Sequence, residues 1–475
     1  MPDKFKVVVA GAGPGGCIFA RDLAKAGIDV IVYEKGDYES LGHDWSDAME
    51  RSALAETGFD APFEGSLNTG PLVKTKNSAG IVTGIYEQHA YADMEVWSPD
   101  YSSKKIVNFR YVTTDRRALG KLLVDQAKKA GAKILFRHEV LNLISAGGSK
   151  LGDVEVKGIV VKDSETGETK NIQADIVADD TGSQAVLRTK LPATTGISGK
   201  FSSDEFAMVY RTVRKRDKNR IDPVNDHYRY GYQTGYQWIQ YLNDDEIDTG
   251  AGVRHDPKNP DPKDIVQEFI SRHPSISDEV VRGGGGLCLV GRSPASLVAK
   301  GFVVIGDAAS QTIPMTGCGA GGAMVGGKYA AETVLAAAQH GKTGCDALWE
   351  YNFKWFAGSQ RGAHYAGLNA LRNILQDLTH EEISFLFRQD ILSSEMLSNS
   401  INGIFTLPDL PTMIKTLAYC ITRPGILLKL NAATTSGTKI FKLYLAYPDK
   451  WDAHLFEVWR LKADQLFAVT SKPRG

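Results

Sequence analysis

The chain has 475 residues, with 55 Lys and Arg against 56 Asp and Glu and a net charge of −1. With 43% hydrophobic and 23% charged residues it is neither disordered, collagen-like nor a polytopic membrane protein, and the balanced charge excludes a general nucleic-acid binder, which needs a basic surplus. The length suits two to four domains, or one large α/β domain with insertions, and the 48 glycines exceed the usual share, so their placement carries information.

Residues 5–10 (FKVVVA) read as a short buried strand ended by glycine. Residues 16–26 read as a helix stopped at Gly27, and 28–33 (IDVIVY) as a second strand. Residues 36–72 read as irregular. A helix over 116–130 and a strand over 133–137 follow, then a β-meander over 153–180 with a turn at Ser164-Glu165-Thr166-Gly167. Residues 204–254 alternate strongly, as in an antiparallel sheet with one covered face. Residues 285–292 and 302–306 read as strands, and the chain from 318 onward as mainly helical.

Gly11-Ala12-Gly13-Pro14-Gly15-Gly16 fits GxGxxG between strand and helix. Gly11 permits the tight turn, Gly13 leaves room for a pyrophosphate, and Gly16 lets helix and strand pack closely. The helix start offers free N–H groups and its positive dipole end to phosphates. Glu34 ends the second strand, where a carboxylate accepts from ribose hydroxyls, which favours FAD or NAD over NADP. Two further segments favour FAD. One is Ala178-Asp179-Asp180-Thr181-Gly182-Ser183 with Arg188; the other is Gly306-Asp307-Ala308-Ala309 with Pro314, Gly317 and Gly319. An apolar strand delivers Asp307 to its C-terminal end, where ligands bind in open α/β sheets.

Together with Arg116-Arg117-Ala118-Leu119, these segments resemble the FAD-dependent family with the aromatic-hydroxylase fold. Tyr236-Gln237-Trp238-Ile239 and Gly250-Ala251-Gly252-Val253 are similar to the YxWxF segment and glycine strand of its geranylgeranyl reductase branch. The resemblance covers residues 5 to about 340. It implies an α/β fold: a Rossmann-like FAD-binding domain (1–75, 113–200, 296–345) interrupted by a β-rich substrate domain (76–112, 201–295), with a helical C-terminal region (346–475). It also implies FAD contacts from Gly11, Gly13, Pro14, Gly15, Gly16, Glu34, Lys35, Arg116, Asp180, Gly306, Asp307, Pro314, Gly317, Gly319 and Ala320. Ser310 and the single Pro314 stand where hydroxylases carry a histidine and Pro-Pro. Residues 36–54 lack the cysteine that the reductases carry near the flavin.

In that fold residues 40–52 pass close to the flavin. His43 is then a candidate proton donor with Asp44 beside it, since imidazole titrates near ~6.5; a loop cap is the alternative. Tyr236 and Trp238 share one strand face, with Tyr232 and Tyr241 near, and wall either an apolar cavity or the sheet core. Gly283 to Gly286 mark a close backbone approach. Cys17 and Cys318 open two helices, a setting that lowers thiol pKa, although packing accounts for them as well.

The expected activity is reduction of a C=C bond in an apolar, isoprenoid or other unsaturated substrate. A monooxygenase, a redox-neutral flavoenzyme and a non-catalytic prenyl-binding protein are the alternatives. Electrons would come from NAD(P)H docking transiently or from a small carrier, since one dinucleotide motif is visible. Five scattered cysteines without CxxC, no signal-peptide layout and no long apolar run suggest a reducing cytoplasm. Residues 401–448 carry Lys415, Arg423, Lys429, Lys439 and Lys442 against Asp409 among apolar residues. That pattern suits peripheral contact with an anionic bilayer, or a helical lid.

Overall fold

Strand Lys6–Ala10, buried and β-branched, runs through the middle of a six-stranded sheet. The computed structural model describes residues 5–59, 75–76, 82–83, 85–86, 93–199, 201–222, 227–231, 234–242 and 244–470. In that sheet Val8 pairs in parallel with Ile31 on one side and Val177 on the other. The chain leaves Lys6–Ala10 toward one neighbour and returns on the other side, so its C-terminal end is a topological switch point. Strands Ile176–Asp179 and Phe302–Val304 extend the sheet, and helices Pro14–Lys25 and Ala320–Ala338 pack on each other beside it.

The second large sheet has seven strands, in the order Ile276–Leu289, Phe206–Arg216, Glu246–Arg254, Tyr236–Tyr241, His227–Tyr230, Asp93–Trp97, Lys104–Asn108. It is antiparallel as expected from the alternation, except that His227–Tyr230 runs parallel to Asp93–Trp97. The architecture is thus a Rossmann-like α/β layer interrupted by a β-rich layer and followed by helices. That C-terminal region is held by an aromatic cluster including Trp349, Phe356, Tyr444, Tyr447 and Trp459.

Two local expectations are corrected. Residues 36–72 are not wholly irregular: Ser46–Glu50 is a strand paired antiparallel with Tyr111–Asp115, and Arg51–Glu56 is a helix; residues 60–72 lie outside the described residues. The meander comprises His138–Gly147, Val154–Asp163 and Thr169–Gln173, while the wholly buried Ile176–Asp179 joins the parallel sheet. The glycine run lies inside the long strand Ile276–Leu289, opposite Val209 to Thr212.

Helix Leu410–Cys420 buries only Thr412 and Cys420, and presents Leu410, Met413, Ile414 and Leu417 to the outside, continued by Ile421 and Leu428. Of the five basic residues in 401–448, Lys415 pairs with Asp390, Arg423 with Glu381 and Lys429 with Glu382, while Lys439 and Lys442 are exposed and make no ion pair among the described residues. No helix among the described residues is long and apolar enough to cross a membrane.

Candidate active site

The glycine loop stands at the switch point. Gly11 has φ +99°, and a side chain there would meet the Asp180 carbonyl at 2.3 Å. Glu34 braces the loop, Oε2 accepting from Ala12 N (2.9 Å) and Oε1 from Gly36 N (2.8 Å). Asp180 lies beneath the loop and accepts from Gly16 N (2.9 Å). A Cβ on Gly13, Gly16 or Gly306 would come within 2.7 Å of that carboxyl. The absent side chains therefore serve an internal acid as well as any ligand above. Burial, then the charges of Asp307, Asp179 and Glu34, push the Asp180 carboxyl well up.

Strand Phe302–Val304 leads into Gly306 and Asp307. The Thr312 hydroxyl donates to Asp307 Oδ1 (3.2 Å), and Gly319 approaches too closely for a side chain. Burial raises the Asp307 carboxyl, opposed by Arg116. Pro314, Gly317 and Gly319 then bring the chain into helix Ala320–Ala338, whose first residue has no side-chain cap before it.

Between that segment and the seven-stranded sheet lies a cavity of about 310 Å³, at the lower end of ordinary ligand pockets. Its walls include Val96, Phe109, Tyr236, Trp238, Leu375 and Ile383. Gly284 in the glycine run packs under Trp45, which stacks on His43 at 4.3 Å and 3°. The Tyr236 hydroxyl donates to Thr316 O (2.5 Å), tying the sheet to the Pro314–Ala320 segment. Trp238 Nε1 donates to buried Asp248 (3.0 Å), which pairs with Arg211; Arg211 also reaches Asp47 (3.2 Å), a carboxylate lining the cavity. Burial alone would lower the Arg211 pKa, but Asp248 and Asp47 outweigh it and raise it, so this guanidinium stays charged.

The profile of the family described as FAD dependent oxidoreductase matches residues 6–273, more than half of the chain. The chain belongs to that family. It is 23% identical over 478 aligned positions to a digeranylgeranylglycerophospholipid reductase of Sulfolobus acidocaldarius, covering 99% of this chain and 98% of that one. It is 28% identical to one from Methanothrix thermoacetophila, over 74% of this chain and 82% of that one. Among solved structures, a geranylgeranyl bacteriochlorophyll reductase-like protein from Thermoplasma acidophilum superposes with TM-score 0.66 at 18% identity, covering 90% and 99% of the two chains. A flavin-dependent brominase does so at 0.59 and 18%, over 88% and 98%.

FAD is the family's cofactor, and the residues present fit it. Arg116 Nε is buried without a partner beside the cavity, and a buried guanidinium donor needs an acceptor. Asp307 and the glycine loop both follow the C-terminal ends of strands of the parallel sheet, where ribityl and phosphate groups require an acceptor and close backbone approach. Lys35 is exposed beside Glu34.

Of the residues expected at the reaction centre, His43, Tyr236 and Trp238 line the cavity together. Asp44 does not: exposed, it pairs with Arg117 (3.2 Å). Tyr241 turns to Asp222 (2.8 Å), and Tyr232 lies outside the described residues. His43 is itself exposed; partial desolvation of its ring, then the Arg116 charge, lowers it from its usual 6.5, with Asp47 opposing. The helix starts do not activate the thiols: burial pushes Cys17 and Cys318 up. Asp47, Arg211 and Asp248 escaped sequence reasoning. The alternation FAMVYRTV placed Arg211 on a sheet strand, but gave no sign that its partner comes from residue 47.

Proposed function

We propose that this FAD-dependent oxidoreductase reduces carbon–carbon double bonds in a long isoprenoid lipid. The observation that carries the reading is the cavity, aliphatic and aromatic along most of its wall, opening beside the Pro314–Ala320 segment. The near full-length similarity to chains named digeranylgeranylglycerophospholipid reductase supports it. Reduced FAD, when bound, supplies a hydride. One alkene carbon receives that hydride and the other a proton, and two electrons from NAD(P)H or a small carrier complete the balance.

The chain's own residues divide the work. The glycine loop, Glu34, Arg116 and Asp307 hold the dinucleotide; Tyr236, Trp238 and Phe109 exclude water and align an apolar chain. His43 passes the proton, its ring fixed by the stack on Trp45. The exposed face of helix Leu410–Cys420 rests on a lipid surface from which such a substrate comes. The glycine-loop unit (1–75, 113–200, 296–345) acts as the FAD domain and the seven-stranded sheet (76–112, 201–295) as the substrate domain.

The test is anaerobic. Dithionite-reduced holoprotein is mixed with a geranylgeranyl-chain lipid and the flavin absorbance followed. Reoxidation with a product two mass units heavier per double bond is expected. A flavin that stays reduced with the lipid and is reoxidised only once oxygen is admitted, with a hydroxylated product, would replace the reductase with an oxygenase.

A further inference from the structure

Arg372, near the end of helix Arg361–Leu375, is 6% exposed and lines the cavity. Three other interior arginines have more acceptors, although Arg188 also leaves Nη2 without a partner. Arg211 has two carboxylates, Arg361 pairs with Glu50 and Glu56, and Arg188 donates to three backbone carbonyls. Arg372 has one weak bond, Nη2 to the neighbouring Asn373 Oδ1 (3.2 Å); its Nε has no partner, and it makes no ion pair among the described residues. Glu205 and Asp204 act on it only from a distance, and Arg254 opposes them. Glu205 is itself engaged, accepting from Ser202 N and Arg292 N. Burial draws the Arg372 pKa down to about 10, which still leaves it charged at neutral pH.

A buried guanidinium without a counter-anion is costly. Its neighbours add donors on the same wall. Arg254 lines the cavity with only loose partners, Asp256 at 3.6 Å and Asp377 at 4.0 Å. Gln376 lies one turn on, and Tyr230 faces the cavity from strand His227–Tyr230. Around them Leu375, Leu378 and Ile383 are apolar. An anion reaching this point therefore has to be attached to an apolar chain.

We propose that Arg372, assisted by Arg254, binds the phosphate head group of an isoprenoid substrate inside the cavity. The inference rests on the reductase reading above and names what its substrate carries. The guanidinium fork offers paired donors to phosphate oxygens, and the bound anion supplies the charge that the protein omits. The phosphate belongs either to a phospholipid diester or to a prenyl monoester.

The test uses saturated ligands on the FAD-loaded protein, so that it does not depend on alkene reduction. A saturated prenyl phosphate, a diether phosphodiester lipid of the same chain and the uncharged alcohol are titrated by calorimetry. At least one phosphate should bind about tenfold or more tighter than the alcohol, as a charged hydrogen-bond pair warrants. Whichever ester binds tighter identifies the source. Arg372→Met should abolish the discrimination and leave the alcohol affinity within about twofold, while Arg372→Lys keeps part of it. Without ligand, Arg372→Met should also melt above the wild type, because it removes an uncompensated buried charge. Equal wild-type affinity for phosphate and alcohol overturns the proposal, as does discrimination that survives Arg372→Met. If discrimination depends on Arg372 but no alkene ever reoxidises the flavin, the reductase reading fails and the anion site stands.

Discussion

His43 lines the cavity, and its surroundings fix the direction in which its titration shifts. Partial desolvation, Arg116 and Arg211 disfavour the imidazolium, and Asp47 favours it. If His43 delivers the proton, its active form is the protonated one. The chemical step should then be fastest in acid and fall as pH rises, with a midpoint below the usual 6.5. Single-turnover flavin reoxidation measured against pH checks this; a pH-independent rate would assign the proton elsewhere. Asp47→Asn removes the one favourable charge, so the midpoint should move further to acid. Asp44→Asn should leave rate and midpoint within about twofold, since an exposed ion pair contributes little. The Asp44–Asp47 contrast was not legible in the sequence. Both acids flank the same tryptophan, and only the pairing of Asp47 opposite Thr114 decides which one faces Arg211.

Strand His227–Tyr230 carries a second titrating group that serves the element rather than the site. His227 is fully buried against Tyr101, Phe269 and His273, and neither ring nitrogen has a partner. Burial, then the neighbouring His273, pushes it down to about 3. The folded state thus holds the neutral ring, while the unfolded chain protonates near ~6.5. The stability this confers is complete above about pH 6.5 and is lost as pH falls toward 3. At pH 4.5 the loss should reach about 2–3 kcal/mol. His227→Phe should remove that part of the acid sensitivity, read as a smaller difference between urea melts at pH 7 and pH 4.5; an unchanged difference would refute it. At this scale the sequence spoke clearly where one face repeats. The βαβ start, the helix after Asp115 and the alternating strands from 206 to 254 are local patterns, and the structure contains them. It was silent where pairing is remote. The segment SDAME has no strand signature, yet extends because Tyr111–Asp115, more than sixty residues on, offers it a buried edge. Ile176–Asp179 reads like one more meander strand, yet its continuous burial draws it into the parallel sheet.

For the molecule as a whole, the segment that follows helix Leu410–Cys420 lies against an element of the cavity wall. Arg423 and Lys429 pair with Glu381 and Glu382 at the start of helix His380–Arg388, and Ile383 of that helix lines the cavity. The sequence showed the basic surplus of 401–448 but not its pairing, because ion pairs with residues 20 to 50 positions away leave no local trace. That pairing changes the expected physics. With Lys415, Arg423 and Lys429 neutralised by carboxylates and Lys439 and Lys442 left exposed, attraction to anionic lipid is reduced and apolar insertion supplies most of the affinity, each large side chain contributing about 1.5–3 kcal/mol when fully buried. Flotation with vesicles should therefore be nearly the same for neutral phosphatidylcholine and for mixtures containing anionic lipid, and should persist in about 0.5 M salt, where surface charges are screened. The double variant Ile414→Glu, Leu417→Glu should lose vesicle binding about tenfold or more. It should still bind FAD and turn over detergent-dispersed substrate, because neither side chain contributes to the cavity wall. Binding that vanishes with salt would return the contact to electrostatics. A wild type that stays off vesicles but runs as a dimer, split by the same substitutions, would give the strip to a second copy of the chain.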